Sequence, residues 1–252
     1  MSFKVVIPAR YGSTRLPGKP LREIAGKPMI QHVFERALQS DANQVVIATD
    51  DSRIAEVSRA FGAEVCMTSD AHRSGTDRIE QVVSLLGWGD ETIVVNLQGD
   101  EPTMPPVLLN QVASDMAGHR DAVVTTLSAP ITERKMLFDP HVVKVITDEL
   151  GYAIYFSRAP IPWHRDEFIQ ASSGLPPGVG FFRHIGLYAY RADFLHRYVG
   201  WPPSPIEKAE SLEQLRVLWQ GERIHVSVAH ERPSHGVDTQ GDLEKAEALL
   251  SR

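Results

Sequence analysis

A chain of 252 residues with 42% apolar and 23% charged side chains has the composition of one large α/β domain, or one domain with a smaller lobe. Its formal net charge of −6 argues against general nucleic-acid binding, so local basic clusters point to a small anionic ligand. No apolar run approaches the roughly 20 residues needed to span a membrane, no signal peptide precedes the first strand pattern, and the single cysteine, Cys66, excludes an intrachain disulfide and fits a reducing cytoplasm.

Val5, Val6 and Ile7 form a β-branched apolar run that reads as a buried strand, which Pro8 is expected to end because proline has no N–H for the ladder. The loop that follows carries Gly12 and Gly18 among Arg10, Arg15 and Lys19. Glycines let backbone N–H groups approach an anion and the cations neutralise it, so the stretch reads as a polyphosphate cradle at the carboxyl end of a strand. It is not a Walker A loop. Five residues, not four, separate Gly12 from Gly18, and Pro20 stands where the magnesium-binding hydroxyl belongs.

Helical spacing over Met29 to Leu38 is followed by a strand at Gln44 to Thr49 and a helix through Ile54, Val57 and Phe61, with Asp50 or Asp51 as its cap. Ala63 to Met67 is a third strand, and this alternation signals an open, mainly parallel sheet with Cys66 buried in it. The run from His72 to Arg78 precedes an amphipathic helix (Ile79, Val82, Val83, Leu86) that Thr76 or Asp77 is expected to cap. That leaves Arg73 and Ser74 as loop residues near a helix N-terminus, where anions are favoured.

Thr92 to Leu97 is the strongest central-strand pattern, and it runs into Gln98-Gly99-Asp100-Glu101. A carboxylate at the end of a buried strand, beside a glycine, suits a hard cation such as Mg²⁺. The next helix is expected near Val107, beyond Pro105-Pro106, so capping does not account for Asp100. A strand at Ala122 to Leu127 follows, then two strand-like segments, Val142 to Thr147 and Tyr152 to Phe156, that read as an antiparallel hairpin. Arg158 to Gly180 is rich in proline and glycine; Arg183 stands where a dinucleotide fingerprint would need its third glycine.

His184 to Tyr190 alternates as a strand, and the residues alone leave His184 open as base, ligand contact or structural histidine. Glu207 to Trp219 reads as one helix, with Glu213 and Gln214 beside its apolar face. Ile224 to Val228 is a late strand; Thr239 with Asp242 forms a capping-box pattern that leaves Asp238 just outside the last helix, as a cap or as a second metal ligand. His225, His230 and His235 fit no zinc spacing.

Taken together, IPARYGSTRLPGKPL, SGTDRI, NLQGDEP, YFSRAPIP, HIGLYAYR, SLEQLR and GVDT resemble, in content and order, the 3-deoxy-manno-octulosonate (KDO) cytidylyltransferases, also called CMP-KDO synthetases. The likeness runs from Val5 to the last helix. It implies a three-layer α/β nucleotide-diphospho-sugar transferase fold of glycosyltransferase-A type, with a mixed central sheet. One domain of 1–252 is expected, in which roughly 130–205 forms a smaller lobe for sugar binding and dimerisation. The implied reaction joins CTP and KDO to give CMP-KDO and pyrophosphate with Mg²⁺, in a cytoplasmic homodimer that feeds lipopolysaccharide assembly.

By the same resemblance, Pro8, Ala9, Arg10, Gly12, Ser13, Lys19, Arg73, Ser74, Gly75 and Gln98 would bind the nucleotide, and Asp100 and Asp238 the metal. Arg10, Lys19, Asp100 and Asp238 would carry catalysis. Arg15, Gln98, Arg158, His184, Tyr188, Glu213 and Gln214 would surround the sugar acid.

Overall fold

The computed structural model describes residues 2–12, 16–72, 74–169, 174–234 and 236–251. Ser13, Arg15, Arg73 and His235 therefore lie outside the described residues.

Strand β1 (Lys4–Ala9) is followed by a short 3₁₀ turn and two two-residue strands, β2 (Glu23–Ile24) and β3 (Lys27–Pro28), that form a small ribbon. Helix α1 (Met29–Leu38) leads to β4 (Gln44–Thr49), α2 (Ser52–Ala60), β5 (Glu64–Met67), α3 (Gly75–Leu85), β6 (Ile93–Asn96) and α4 (Pro106–Gly118). Then come β7 (Val124–Pro130), α5 (Arg134–Phe138), β8 (Lys144–Thr147), β9 (Ala153–Ser157) and the long β10 (Phe182–Arg191). The chain continues through α6 (Ala192–Tyr198), α7 (Pro205–Glu210), α8 (Gln214–Trp219), β11 (Ile224–Val228) and α9 (Gln240–Leu250).

The main sheet runs β11-β7-β10-β6-β1-β4-β5, with β8 on β10 and β9 on β8. β1 pairs in parallel with β4 and β6, whereas β10 is antiparallel to both of its neighbours, so the sheet is mixed. Alternation along the central strands fills two layers of core. Val5, Ile7, Val45, Ile47 and Val95 pack with Ile30 and Val33 of α1 and Leu108 and Val112 of α4. Val6, Val46, Ala48 and Val94 pack with Ile79 and Val82 of α3, Phe194 of α6 and Leu215 of α8. Strands covered on both faces read as continuous apolar runs, which is why TIVVNL and KVVI stand out. Each fully buried Val or Ile contributes roughly 1.5–3 kcal/mol.

Three expectations change. Pro8 does not end β1, which stays in register with β4 as far as Ala9 and Thr49. The carbonyl of Val6 accepts from the Leu97 amide, so two residues on Pro8 directs its missing donor to the same side, where pairing with β6 has already stopped. The cap of α3 is Ser74 rather than Thr76 or Asp77: its Oγ accepts from the Asp77 amide, and the Asp77 carboxylate accepts from the Ser74 amide. The helix expected over Glu207 to Trp219 is two. Ser211 adopts φ +53°, which ends α7, and α8 starts afresh at Gln214.

The hairpin of β8 and β9 joins the main sheet through β10, and a small separate core of Ile131, Leu137, Phe168 and Phe181 lies in the same part of the chain. No helix among the described residues is long and apolar enough to cross a membrane.

Candidate active site

Sheet topology decides where a ligand binds. After β1 the chain crosses outward to β4 and β5, then returns to place β6 on the other side of β1. β1 and β6 are thus adjacent parallel strands whose connections leave in opposite directions, and a crevice opens at the carboxyl ends of such a pair. A cleft of about 610 Å³ lies there. Pro8, Ala9, Arg10, Gly12, Lys19 and Pro20 line it from β1 and its loop, and Gln98, Gly99 and Asp100 from the turn after β6. Ser74, Gly75 and Arg78 contribute from α3, Ser211 and Glu213 from the break between α7 and α8, and Asp238 from just before α9.

The close packing of these segments rests on two glycines. A Cβ on Gly99 would stand 2.8 Å from the carbonyl oxygen of Pro8, so only glycine lets the β6 turn lie against β1. A Cβ on Gly236 would meet the Glu101 carboxyl at 2.9 Å, and the amide of Val237 donates to the carbonyl of Asp100 at 2.8 Å. This clasp brings the segment carrying Asp238 onto the segment carrying Asp100. Gly18, with φ +67°, opens the 3₁₀ turn, and a Cβ there would stand 3.2 Å from the Tyr11 side chain. Gly12 has open space where a side chain would begin.

Lys19 is the hub. Its Nζ donates to Asp100 Oδ2 at 2.6 Å, to Asp238 Oδ1 at 3.0 Å and to the carbonyl of Val237 at 2.8 Å. Burial alone would lower its pKa, but the attraction of Asp100 and the hydrogen bonds to both aspartates more than reverse that, so the ammonium stays charged well past neutrality. Next to it, burial pushes the Glu101 carboxyl up to about 8, with Asp100 adding to the rise and Arg183 opposing it. Arg10 lines the cleft with no ion-pair partner among the described residues. The N-terminus of α3 points its partial positive charge into the same space beside Pro8 and Gln98.

The residues assigned to the sugar acid do not all share one wall. Gln98 and Glu213 line the cleft; His184, Tyr188 and Gln214 line a second cavity of about 260 Å³. Burial raises the Glu213 carboxyl against the opposing hydrogen bond from Thr76 Oγ1, at 3.0 Å. Burial also pushes the His184 imidazole down to about 3, helped by neighbouring Arg183, and its Nε2 meets Thr126 Oγ1 at 2.9 Å. His184 is therefore a neutral hydrogen-bonding group, and its burial leaves it poorly placed to accept a proton at neutral pH. Arg158 lines neither space. Its Nε donates to the carbonyl of Glu210 at 2.7 Å and its Nη1 to that of Pro140 at 3.0 Å, so it braces the chain leading to Glu213.

Some functional placements had no signal in local pattern. Arg78, 4% exposed, pairs with Asp50 at 2.8 Å, which gives that carboxylate a structural partner. Glu101, in the turn after β6, and Arg183, in β10, are brought to one cavity from positions far apart in sequence. The buried Glu207–Arg216 pair, 2.5 Å apart, locks α7 to α8 and so presents Glu213 and Gln214.

Fold and cleft together define a nucleotide-binding α/β protein of the nucleotide-sugar transferase type. The family described as cytidylyltransferase matches residues 4–224. A 3-deoxy-manno-octulosonate cytidylyltransferase of Pasteurella multocida (strain Pm70) is 55% identical over all of this chain and 99% of its own. One of Pseudomonas syringae pv. syringae (strain B728a) is 57% identical over 99% and 98% of the two chains. A solved structure of CMP:2-keto-3-deoxy-manno-octonic acid synthetase complexed with CTP superposes with a TM-score of 0.89 at 42% identity, covering 99% of this chain and 98% of that one. This chain belongs to the cytidylyltransferase family and, within it, to the 3-deoxy-manno-octulosonate cytidylyltransferases.

Proposed function

We propose that this protein transfers CMP from CTP to the anomeric hydroxyl of KDO, releasing pyrophosphate, and so supplies activated KDO for lipopolysaccharide assembly. The observation that carries the reading is the Lys19–Asp100–Asp238 cluster lining the cleft at the β1/β6 switch point. In the reaction the anomeric hydroxyl gives up its proton to solvent, its oxygen bonds to the α-phosphorus as the bond to the bridging oxygen breaks, and negative charge grows on the phosphoryl oxygens and on the departing pyrophosphate. Arg10 and the N-terminus of α3 are preorganised donors for that charge, and the Lys19 ammonium, whose three hydrogens go to Asp100, Asp238 and Val237, adds its charge beside them. Ala9 and Gly12 offer backbone beside it, and Ser74, though committed as a cap, holds Gly75 at the edge of the triphosphate space.

The donor set fits Mg²⁺. Asp100 and Asp238 converge on one cationic centre, the Lys19 ammonium, and one or two carboxylates with phosphate oxygens and water are what this hard ion takes. Asp100 and Asp238 would hold it, and bound there it supplies charge to offset the developing negative charge on the phosphates. His184, Tyr188, Glu213 and Gln214 contribute the neutral and polar contacts for the sugar acid.

Pyrophosphate release from CTP and Mg²⁺, with KDO, 8-amino-KDO and sialic acid in parallel, tests the whole reading. Release with KDO alone is expected. Release only with another acid would retain the nucleotide half and discard the sugar half; no release with any would sink the activity.

The active form we propose is a homodimer in the cytoplasm. Leu150, Ile154, Trp163 and Ile169, 57–78% exposed, put apolar surface on the 130–205 part of the chain. Sedimentation across a range of concentrations should report a dimer, and Ile154→Lys with Trp163→Ser should shift it towards monomer. A wild-type monomer at micromolar concentration would refute this.

A further inference from the structure

Ser211 stands where a helix commonly ends on glycine. It closes α7 with φ +53° and ψ +49°, and its amide and that of Leu212 both donate to the carbonyl of Glu207. Glycine takes this left-handed conformation freely, whereas a residue with a Cβ keeps it only where its surroundings enforce it. Ser211 also lines the cleft, two positions before Glu213.

The enforcing contacts come from the β8–β9 hairpin and converge on Glu210. Its Oε1 accepts from Ser157 Oγ at 2.6 Å and its Oε2 from the Arg158 amide at 2.9 Å, so the carboxylate spans the end of β9 and the residue after it. Arg158 answers in the other direction. Its Nε donates to the carbonyl of Glu210 at 2.7 Å and its Nη2 to that of Ser211 at 3.5 Å. Those carbonyls belong to the two peptide planes that meet at the Ser211 Cα, and fixing both planes fixes φ and ψ. The hairpin end is itself anchored: fully buried Lys144 of β8 donates to the carbonyls of Asp139, Val142 and Arg158, at 2.9, 2.6 and 2.5 Å.

Resting on the activity proposed above, we infer that Glu210 is a positioning residue for the sugar-acid substrate. Its carboxylate ties the end of β9 to the end of α7, holds Ser211 left-handed, and so sets Ser211 and Glu213 in the cleft wall. Glu213 arrives there with its Oε1 accepting from Thr76 Oγ1 at 3.0 Å and its carbonyl from Tyr198 Oη at 3.3 Å. Glu210 does not line the cleft. Its action passes through the backbone, so a side chain able to make the same two hydrogen bonds should replace it.

The test is a series at Glu210 in two backgrounds, wild type and Ser211→Gly. The readouts are kcat/KM for KDO, CTP affinity by calorimetry, and hydrogen exchange of residues 212–216. Glu210→Ala should lower kcat/KM for KDO about tenfold or more, the scale of losing charge-assisted hydrogen bonds that orient a site. CTP affinity should stay within about threefold, because the proposed nucleotide residues lie on β1, the turn after β6 and α3, off this clamp. Exchange in 212–216 should quicken. Glu210→Gln should keep kcat/KM within about threefold of wild type, since its oxygen can accept from the Arg158 amide and its NH₂ can donate to Ser157 Oγ. Measured against Ser211→Gly alone, adding Glu210→Ala should cost less than about threefold, because glycine keeps the turn without the clamp. If Glu210→Ala does not fold, Ser157→Ala, which deletes one of the two bonds from β9, should move KDO kinetics and exchange in the same direction.

Unchanged KDO kinetics in Glu210→Ala, whatever exchange does, overturn the inference. So does a parallel loss of KDO turnover and CTP affinity, which is general destabilisation, and so does an equal cost in both backgrounds. Glu210→Gln as damaged as Glu210→Ala would refute the hydrogen-bonding route. Wild type releasing no pyrophosphate with KDO is a different failure, that of the activity itself; exchange then decides the clamp alone, quickened in Glu210→Ala supporting it and unchanged refuting it.

Discussion

Replacing Asp100 by asparagine should lower turnover by at least about 10²-fold while the fold stays intact, comparable with losing one preorganised electrostatic group. Asparagine has nearly the same shape, and its side-chain oxygen can still accept from Lys19 Nζ, now 2.6 Å from Oδ2. The Val237 amide bonds the Asp100 backbone carbonyl, so the clasp between the two segments does not need the carboxylate. What the variant lacks is charge. With one carboxylate left, Asp238, the centre that we propose for Mg²⁺ is half as anionic, and affinity for a hard divalent ion falls with ligand charge. The measurement is steady-state pyrophosphate release at saturating CTP and KDO across a Mg²⁺ series, beside thermal unfolding. Near-normal turnover with an unchanged Mg²⁺ response would remove Asp100 from the mechanism.

Lys19→Met should cost more, about 10²–10³-fold in turnover, because one side chain serves both the chemistry and the shape of the site. Methionine matches the length of the stem but cannot donate. Asp100, Asp238 and the carbonyl of Val237, all gathered on one ammonium, then lose their common partner. Two carboxylates that lose their shared ammonium repel, and the segment 236–238 loses one of the ties that hold it, beside the backbone bond to Asp100, the packing of Gly236 on Glu101 and the burial of Val237. Hydrogen exchange should therefore quicken in residues 236–243 but not in β1 or β6, whose amides lie in the middle of the sheet. A variant with lost turnover and unchanged exchange would make Lys19 a phosphate ligand alone. Retained turnover with quickened exchange would make it a tether alone.

Asp100 and Lys19 also mark how far local pattern reaches. Both were singled out from their settings, a carboxylate at the end of TIVVNL and a cation in a glycine-containing loop. Neither setting says that the two touch, 81 positions apart, or that Asp238 joins them. Arg158 shows the opposite limit: a cation in a motif looks like a ligand contact until its donors are found on three backbone carbonyls. Ser74 is similar, since a hydroxyl before a helix reads equally well as anion contact or cap, and a capping box is decided by one rotamer.

By itself the amino-acid sequence determined the strands, most of the helices and the family, because apolar periodicity, caps and ordered motifs are properties of neighbouring residues. The two core layers also follow from alternation within each strand. Only the tertiary structure decided that β6 returns beside β1 to open the cleft, that Pro8 sits harmlessly within its strand, and that Ser211 breaks one apparent helix into two. It alone brought Glu101 and Arg183 to one cavity and gave Lys19 two carboxylates. Those outcomes depend on which sides of distant strands face one another, and charge, burial and unspent hydrogen-bond donors acquire meaning only once that pairing exists.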